Sequence, residues 1–155
     1  MTSSILVSLR VVATPARAFD VFTREIGLWW RPNILFQFSR SGTGKLAFEP
    51  GLGGRLLERF DDGGCFEIGR ITAWKPGEQL AFSWRQDTFE PDQVTQVNVE
   101  FEPVGSETRV TVTHSGWDDI PQEHAARHTM DDAVFMRRHG EWWQALLRRL
   151  RSHIA

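Results

Sequence analysis

The chain has a single cysteine and no tyrosine among 155 residues, and no surplus of either charge beyond a net −2. It also has no long apolar run. Each shortage removes a class of protein. Cys65 alone cannot close an intrachain disulfide, so a cross-linked scaffold of an oxidising compartment is not indicated. The near balance of 18 Lys+Arg against 20 Asp+Glu lacks the basic excess that neutralises a phosphate backbone, which argues against a nucleic-acid partner. No stretch approaches the roughly 18 apolar residues of a membrane-spanning helix. At the start, the apolar run in MTSSILVSLRVV is broken by Ser8 and Arg10 and has no basic stretch ahead of it, unlike a secretory leader. A cytoplasmic location is expected.

Rings are what the chain has in abundance: seven Trp and eleven Phe, a large aromatic surface with no phenolic hydroxyl. Such residues fill ordinary cores, and they also suit the wall of an apolar chamber. A hydrophobic share of 41% and a charged share of 25% are those of a folded globular chain, and the length is that of one domain, expected to span residues 1–155.

Ile5, Val7, Leu9 and Val11 alternate with their neighbours and predict a half-buried strand. Thr14 then caps a helix with Pro15 at its first position, and Ala18, Phe19, Phe22 and Ile26 recur at helical spacing as far as Gly27. The stretch 28–45 carries no clear period. Six further strands are predicted over Leu46–Glu49, Arg55–Phe60, Cys65–Trp74, Gln79–Trp84, Val94–Pro103 and Thr108–His114, most joined by turns that contain glycine. In the fifth of these, Val97, Val99 and Phe101 face away from Gln96, Asn98, Glu100 and Glu102, so one sheet face is wet and the other needs a cover. The cover is a terminal helix with Ala133, Met136, Gly140, Trp143, Leu147, Leu150 and Ile154 on one side and mostly arginines on the other. Together these elements make an α+β domain.

Four segments fall in an order that resembles a known family: ATPARAFDVFT before a Trp pair, AWKPGEQLAFSW between two strands, VTVTHSGW, and HGEWWQALLRRL in the last helix. The chain resembles the SRPBCC superfamily, also called START-like or birch-pollen-allergen-like, in the branch homologous to the activator of the heat-shock chaperone ATPase. The resemblance implies a helix-grip fold, a curved antiparallel sheet wrapped around the long C-terminal helix, with short helices after the first strand and a hydrophobic cavity in between. It implies a small, largely hydrophobic ligand as partner. The alternatives it carries are an enzyme of the cyclase, dehydratase or hydrolase kind and, with least support, a chaperone-interacting protein. Pro76-Gly77 departs from the usual turn, and the polar stretch 118–130 departs from the usual lid.

Candidate ligand-binding residues follow from strand parity and from the rings. His114 shares a face with Val110 and Val112, which turns an imidazole toward the covered side as a hydrogen-bonding group or base. Placing Leu56 and Phe60 inward carries Glu58 with them, and the next strand then offers Arg70 as a counter-charge, although Ile71 and Ala73 leave its register open. Trp84, Trp117 and Trp143 would enclose the apolar body of a ligand. No catalytic residue is assigned. His124 and His128 have the spacing of two zinc ligands, but no third ligand is set by the sequence and Ala125 stands where a catalytic glutamate would be, so no metal is expected. Glycines 51, 53 and 54 lack the Gly-Lys-Ser/Thr of a phosphate loop, and no cofactor is expected.

Overall fold

A computed structural model describes residues 4–30, 44–85, 94–116 and 132–154, with side chains in the last stretch from residue 137 onward. In chain order the elements are β1 (Ile5–Val11), α1 (Pro15–Arg24), α2 (Ile26–Trp29), β2 (Lys45–Phe48), β3 (Arg55–Arg59), β4 (Cys65–Lys75), β5 (Gln79–Trp84), β6 (Thr95–Val104), β7 (Glu107–Ser115) and α3 (Asp132–Ile154). The seven strands form one antiparallel sheet in the order β1-β7-β6-β5-β4-β3-β2. It curls into a half-barrel against the C-terminal helix, the helix-grip arrangement expected.

The first helix starts as its residues dictate: Thr14 Oγ1 accepts the backbone N–H of Arg17 at 3.2 Å, with Pro15 next in line. It does not run unbroken to Gly27. Glu25, at φ −111°, interrupts it, and one further turn carries Leu28 and Trp29 before Trp30 becomes extended ahead of Arg31-Pro32. That extra turn buries Ile26 and Trp29.

Strand parity holds through the centre of the sheet. Leu80, Phe82 and Trp84 on β5, Val97, Val99 and Phe101 on β6, and Val110, Val112 and His114 on β7 are all buried, while Gln96, Glu100 and Glu102 are exposed. It fails in β4. The register shifts at Leu56/Leu57 on the β3 side and again at Ile71/Ala73 on the β5 side, and the two irregularities place Ile68 and Ile71 inward with Arg70 outward. Between them, Gly69 packs so closely on the Ser83 carbonyl that any Cβ would overlap it.

Rings run through the interior in one connected series. Trp74 meets Phe19 with centroids 5.0 Å apart, Phe19 meets Phe101 at 5.3 Å, and Phe101 meets Phe22 at 6.0 Å. Phe22 then meets Trp29 at 4.9 Å, Trp29 meets Trp30 at 5.6 Å, and Trp30 meets Trp143 of α3 at 5.2 Å. All six pairs are edge-to-face or tilted, and four of them are edge-to-face, a geometry that aromatic quadrupoles favour. The series ties α1 and α2 to α3 across the concave face. The buried side of α3 is broader than the expected stripe: Trp143, Leu147, Leu150 and Ile154 are joined by His139, Trp142 and Leu146, while Gly140 is only half-buried. Ala133 and Met136 lie outside the described side chains.

Replacing Gly69 by Ala pushes a methyl into the Ser83 carbonyl, so the substitution is expected to lower stability by about 1–3 kcal/mol. Urea unfolding checks it: the midpoint should fall with an unchanged slope, and an unmoved midpoint contradicts the close approach.

Candidate functional site

The ends of three neighbouring strands and the first described side chains of α3 bring two histidines and three tryptophans together. Pairing of β5 with β6 sets Trp84 opposite Thr95, and pairing of β6 with β7 sets Val97 opposite His114. Thr95 and His114 therefore project to the same side, under Trp84. From the helix, His139, Trp142 and Trp143 descend on this patch at the three- and four-residue spacing that shares one helical face. The His114 ring sits 4.6 Å from Trp84, 5.0 Å from His139 and 6.0 Å from Trp143, and His139 lies 5.1 Å from Trp142.

A directed chain of hydrogen bonds runs through this cluster. The Trp143 indole N–H donates to Nδ1 of His114 at 3.1 Å. Indole can only donate, so Nδ1 must be the unprotonated nitrogen, and the neutral ring carries its hydrogen on Nε2. Nε2 lies 2.7 Å from Thr95 Oγ1, and that hydroxyl donates in turn to the Trp84 carbonyl at 2.8 Å. Each group has one hydrogen to give and gives it onward. The arrangement fixes both the tautomer and the ring plane of His114.

Of the residues expected to line a ligand chamber, Trp84, His114 and Trp143 meet directly. Glu58 is buried at 2% exposure, in the register that also buries Leu56, and its Oε2 accepts the Gly44 N–H at 3.1 Å. Strands β4, β5 and β6 stand between it and His114 in the sheet. Phe60 is half-buried just beyond the end of β3. Arg70 does not join the others: its side chain is 61% exposed and pairs with Glu67 at 3.3 Å, because the β4 irregularities reverse the parity that would have turned it inward. Trp117 lies outside the described residues, as do His124 and His128. Among the described residues no three metal-ligating side chains come together.

Sequence reasoning missed Thr95, His139 and Trp142. Thr95 was legible, since it shares the parity of Val97, Val99 and Phe101. His139 and Trp142 each stand one position before a stripe residue, Gly140 and Trp143, about 100° round a helix whose buried face is wider than a narrow stripe allows.

The family described as Activator of Hsp90 ATPase homolog 1-like protein matches residues 12–155. No curated protein matches the sequence. Among solved structures, a protein from Mesorhizobium loti is similar at a TM-score of 0.66 and 18% identity, over 96% of this chain and 94% of that one. An HSP90 activator from Plasmodium falciparum is similar at 0.63 and 19%, over 96% and 93% of the two chains. An anthrahydroquino-gama-pyrone synthase, solved in a complex, is similar at 0.57 and 28%, over 96% and 95%.

Burial pushes the basicity of both cluster histidines down. His114 falls to about 3 through loss of hydration, and His139 falls well below its ordinary value through the same loss and through the neighbouring His114. The folded rings stay neutral while the unfolded chain takes up protons below its ordinary histidine pKa, so stability is full above neutral pH and declines on acidification. For His114 alone the decline at pH 5 is about 2 kcal/mol, between an unfolded pKa of about 6.5 and the folded value of about 3, and His139 adds to it in the same direction. Urea midpoints taken from pH 8 to pH 5 should fall accordingly. Nitrogen-15 spectra of the imidazoles should show His114 as the Nε2–H tautomer throughout that range, and a ring titrating near its ordinary pKa contradicts the buried chain of donors.

Proposed function

The chain belongs to the Activator of Hsp90 ATPase homolog 1-like family, and from that premise we propose that it binds a small, largely hydrophobic molecule between the concave face of the sheet and α3. The observation that carries this reading is the indole and imidazole cluster of Trp84, His114, His139, Trp142 and Trp143. Packed mostly edge-to-face and 0–5% exposed, these rings give the proposed binding region an apolar wall in which the polar atoms are held in one orientation, and small-molecule sites combine the same two elements. Glu58, Phe60 and Trp117 remain proposed contributors to the same chamber. Arg70, exposed and paired with Glu67, stands outside it.

A synthase at 28% identity that was solved in a complex supports a ligand role for the shared fold. The heat-shock activity of the Plasmodium protein is that protein's own, and at 19% identity only the fold carries over. Within the site, the weak basicity of His114 favours binding over proton transfer. A base poised for catalysis near neutral pH has a pKa near that pH, and His114 is held at about 3. Its part is to orient neighbours and shape the wall.

Native mass spectrometry of the freshly purified protein, followed by thermal shift with 1,8-dihydroxyanthraquinone and with a linear fatty alcohol, tests this function. A bound ring compound at 100 times its dissociation constant should add about 2.7 kcal/mol of apparent stability. Trp143→Phe, which keeps a ring but removes the N–H that orients His114, should weaken that effect. A protein that retains nothing and gains no stability from either compound would overturn the reading.

A further inference from the structure

A recess lies on the surface, apart from the histidine cluster. A surface groove of about 410 Å³ opens between α2 and the last turns of α3, lined by Leu28, Trp29, Arg148, Arg149, Ser152 and His153. Its volume falls within the roughly 300–1,000 Å³ of small-molecule sites. The spacing 148, 149, 152, 153 places four polar side chains along one face of α3. Opposite them stands Leu28, a large apolar side chain left 62% exposed.

The charges in this groove are unbalanced. Glu25, the acid beside it, is engaged by Nε2 of His153 at 2.8 Å. Among the described residues no carboxylate pairs with Arg148 or Arg149, although other arginines on the surface, such as Arg24, Arg55 and Arg137, have acidic partners. Arg149 is also positioned: its Nε donates to the Trp29 carbonyl at 3.2 Å, which anchors the guanidinium at the end of α2. Its terminal nitrogens have no hydrogen bond among the described residues. Two cationic forks and a hydroxyl on one wall, with an exposed leucine on the other, match a molecule that has a negative head and an apolar body.

We infer that this groove is a binding site for an amphipathic organic anion, whose head group is held by Arg148, Arg149 and the Ser152 hydroxyl while its chain lies along Leu28. Guanidinium pairs with planar oxyanions through two parallel hydrogen bonds, which suits a carboxylate. The site is separate from the chamber between sheet and helix, and it stands or falls independently of what that chamber holds.

The test titrates the full chain with decanoate below its micelle concentration and follows backbone amides by ¹H–¹⁵N spectroscopy. The expected result is movement of Leu28 and of Arg148–His153, with binding weakened about 10-fold or more by Arg148→Glu and to a similar degree in decan-1-ol, which lacks the charge. Added salt should weaken decanoate and leave decan-1-ol unchanged. Arg148 is exposed, so the variant's own amide spectrum verifies its fold, and Arg148→Gln should fall between it and the parent. Three results overturn the inference: no movement at saturating decanoate, movement confined to the cluster around Thr95, His114 and Trp143, or equal binding of decanoate and decan-1-ol.

Discussion

The hydrogen bond from Trp143 to His114 is the constraint on which the arrangement of helix and sheet depends. Apolar burial drives α3 onto the concave face, but it is non-directional, and Leu146, Leu147 and Leu150 would tolerate a range of rotations about the helix axis. A buried donor and a buried acceptor do not. Each is expensive to strand away from water, so the orientation that joins them is selected over the others. Once the indole of Trp143 is placed, Trp142 and His139 follow from helical geometry, and Trp30 is held against both tryptophans at 5.6 Å and 5.2 Å.

The same bond decides the chemistry available at the site. With Nδ1 occupied as an acceptor, the ring hydrogen is committed to Thr95 and through it to the Trp84 carbonyl, so His114 is an element of architecture more than a reagent. Burial reinforces this by disfavouring the imidazolium. The cluster is held together by ring packing and by this one chain of hydrogen bonds.

Much of this was legible in the sequence because the central strands obey simple parity. Val97, Val99, Phe101, Val110, Val112 and His114 could be placed inward by counting in twos, and Thr14-Pro15 announced the first helix. Counting failed where the backbone itself departs from the ladder. The irregularities in β4 carry no signal beyond Gly69, and they are what send Arg70 to solvent while Ile68 and Ile71 stay inside. His139 was overlooked for another reason: a histidine on a helix reads as part of the polar face, and only the tertiary fold shows the imidazole fully enclosed by Trp84, Trp142 and His114. The arginines of α3 were rightly read as its outer face. Their relation to α2 depends on a contact between elements far apart in the chain, which no local pattern records.

The unbroken passage of rings from Trp74 through α1 and α2 to the histidines also governs how this protein absorbs light. Indoles as near as Trp29 to Trp30 at 5.6 Å and Trp142 to Trp143 at 5.7 Å have ultraviolet transitions that couple. Ultraviolet dichroism of the folded chain will therefore contain coupled tryptophan bands superimposed on those of helix and sheet.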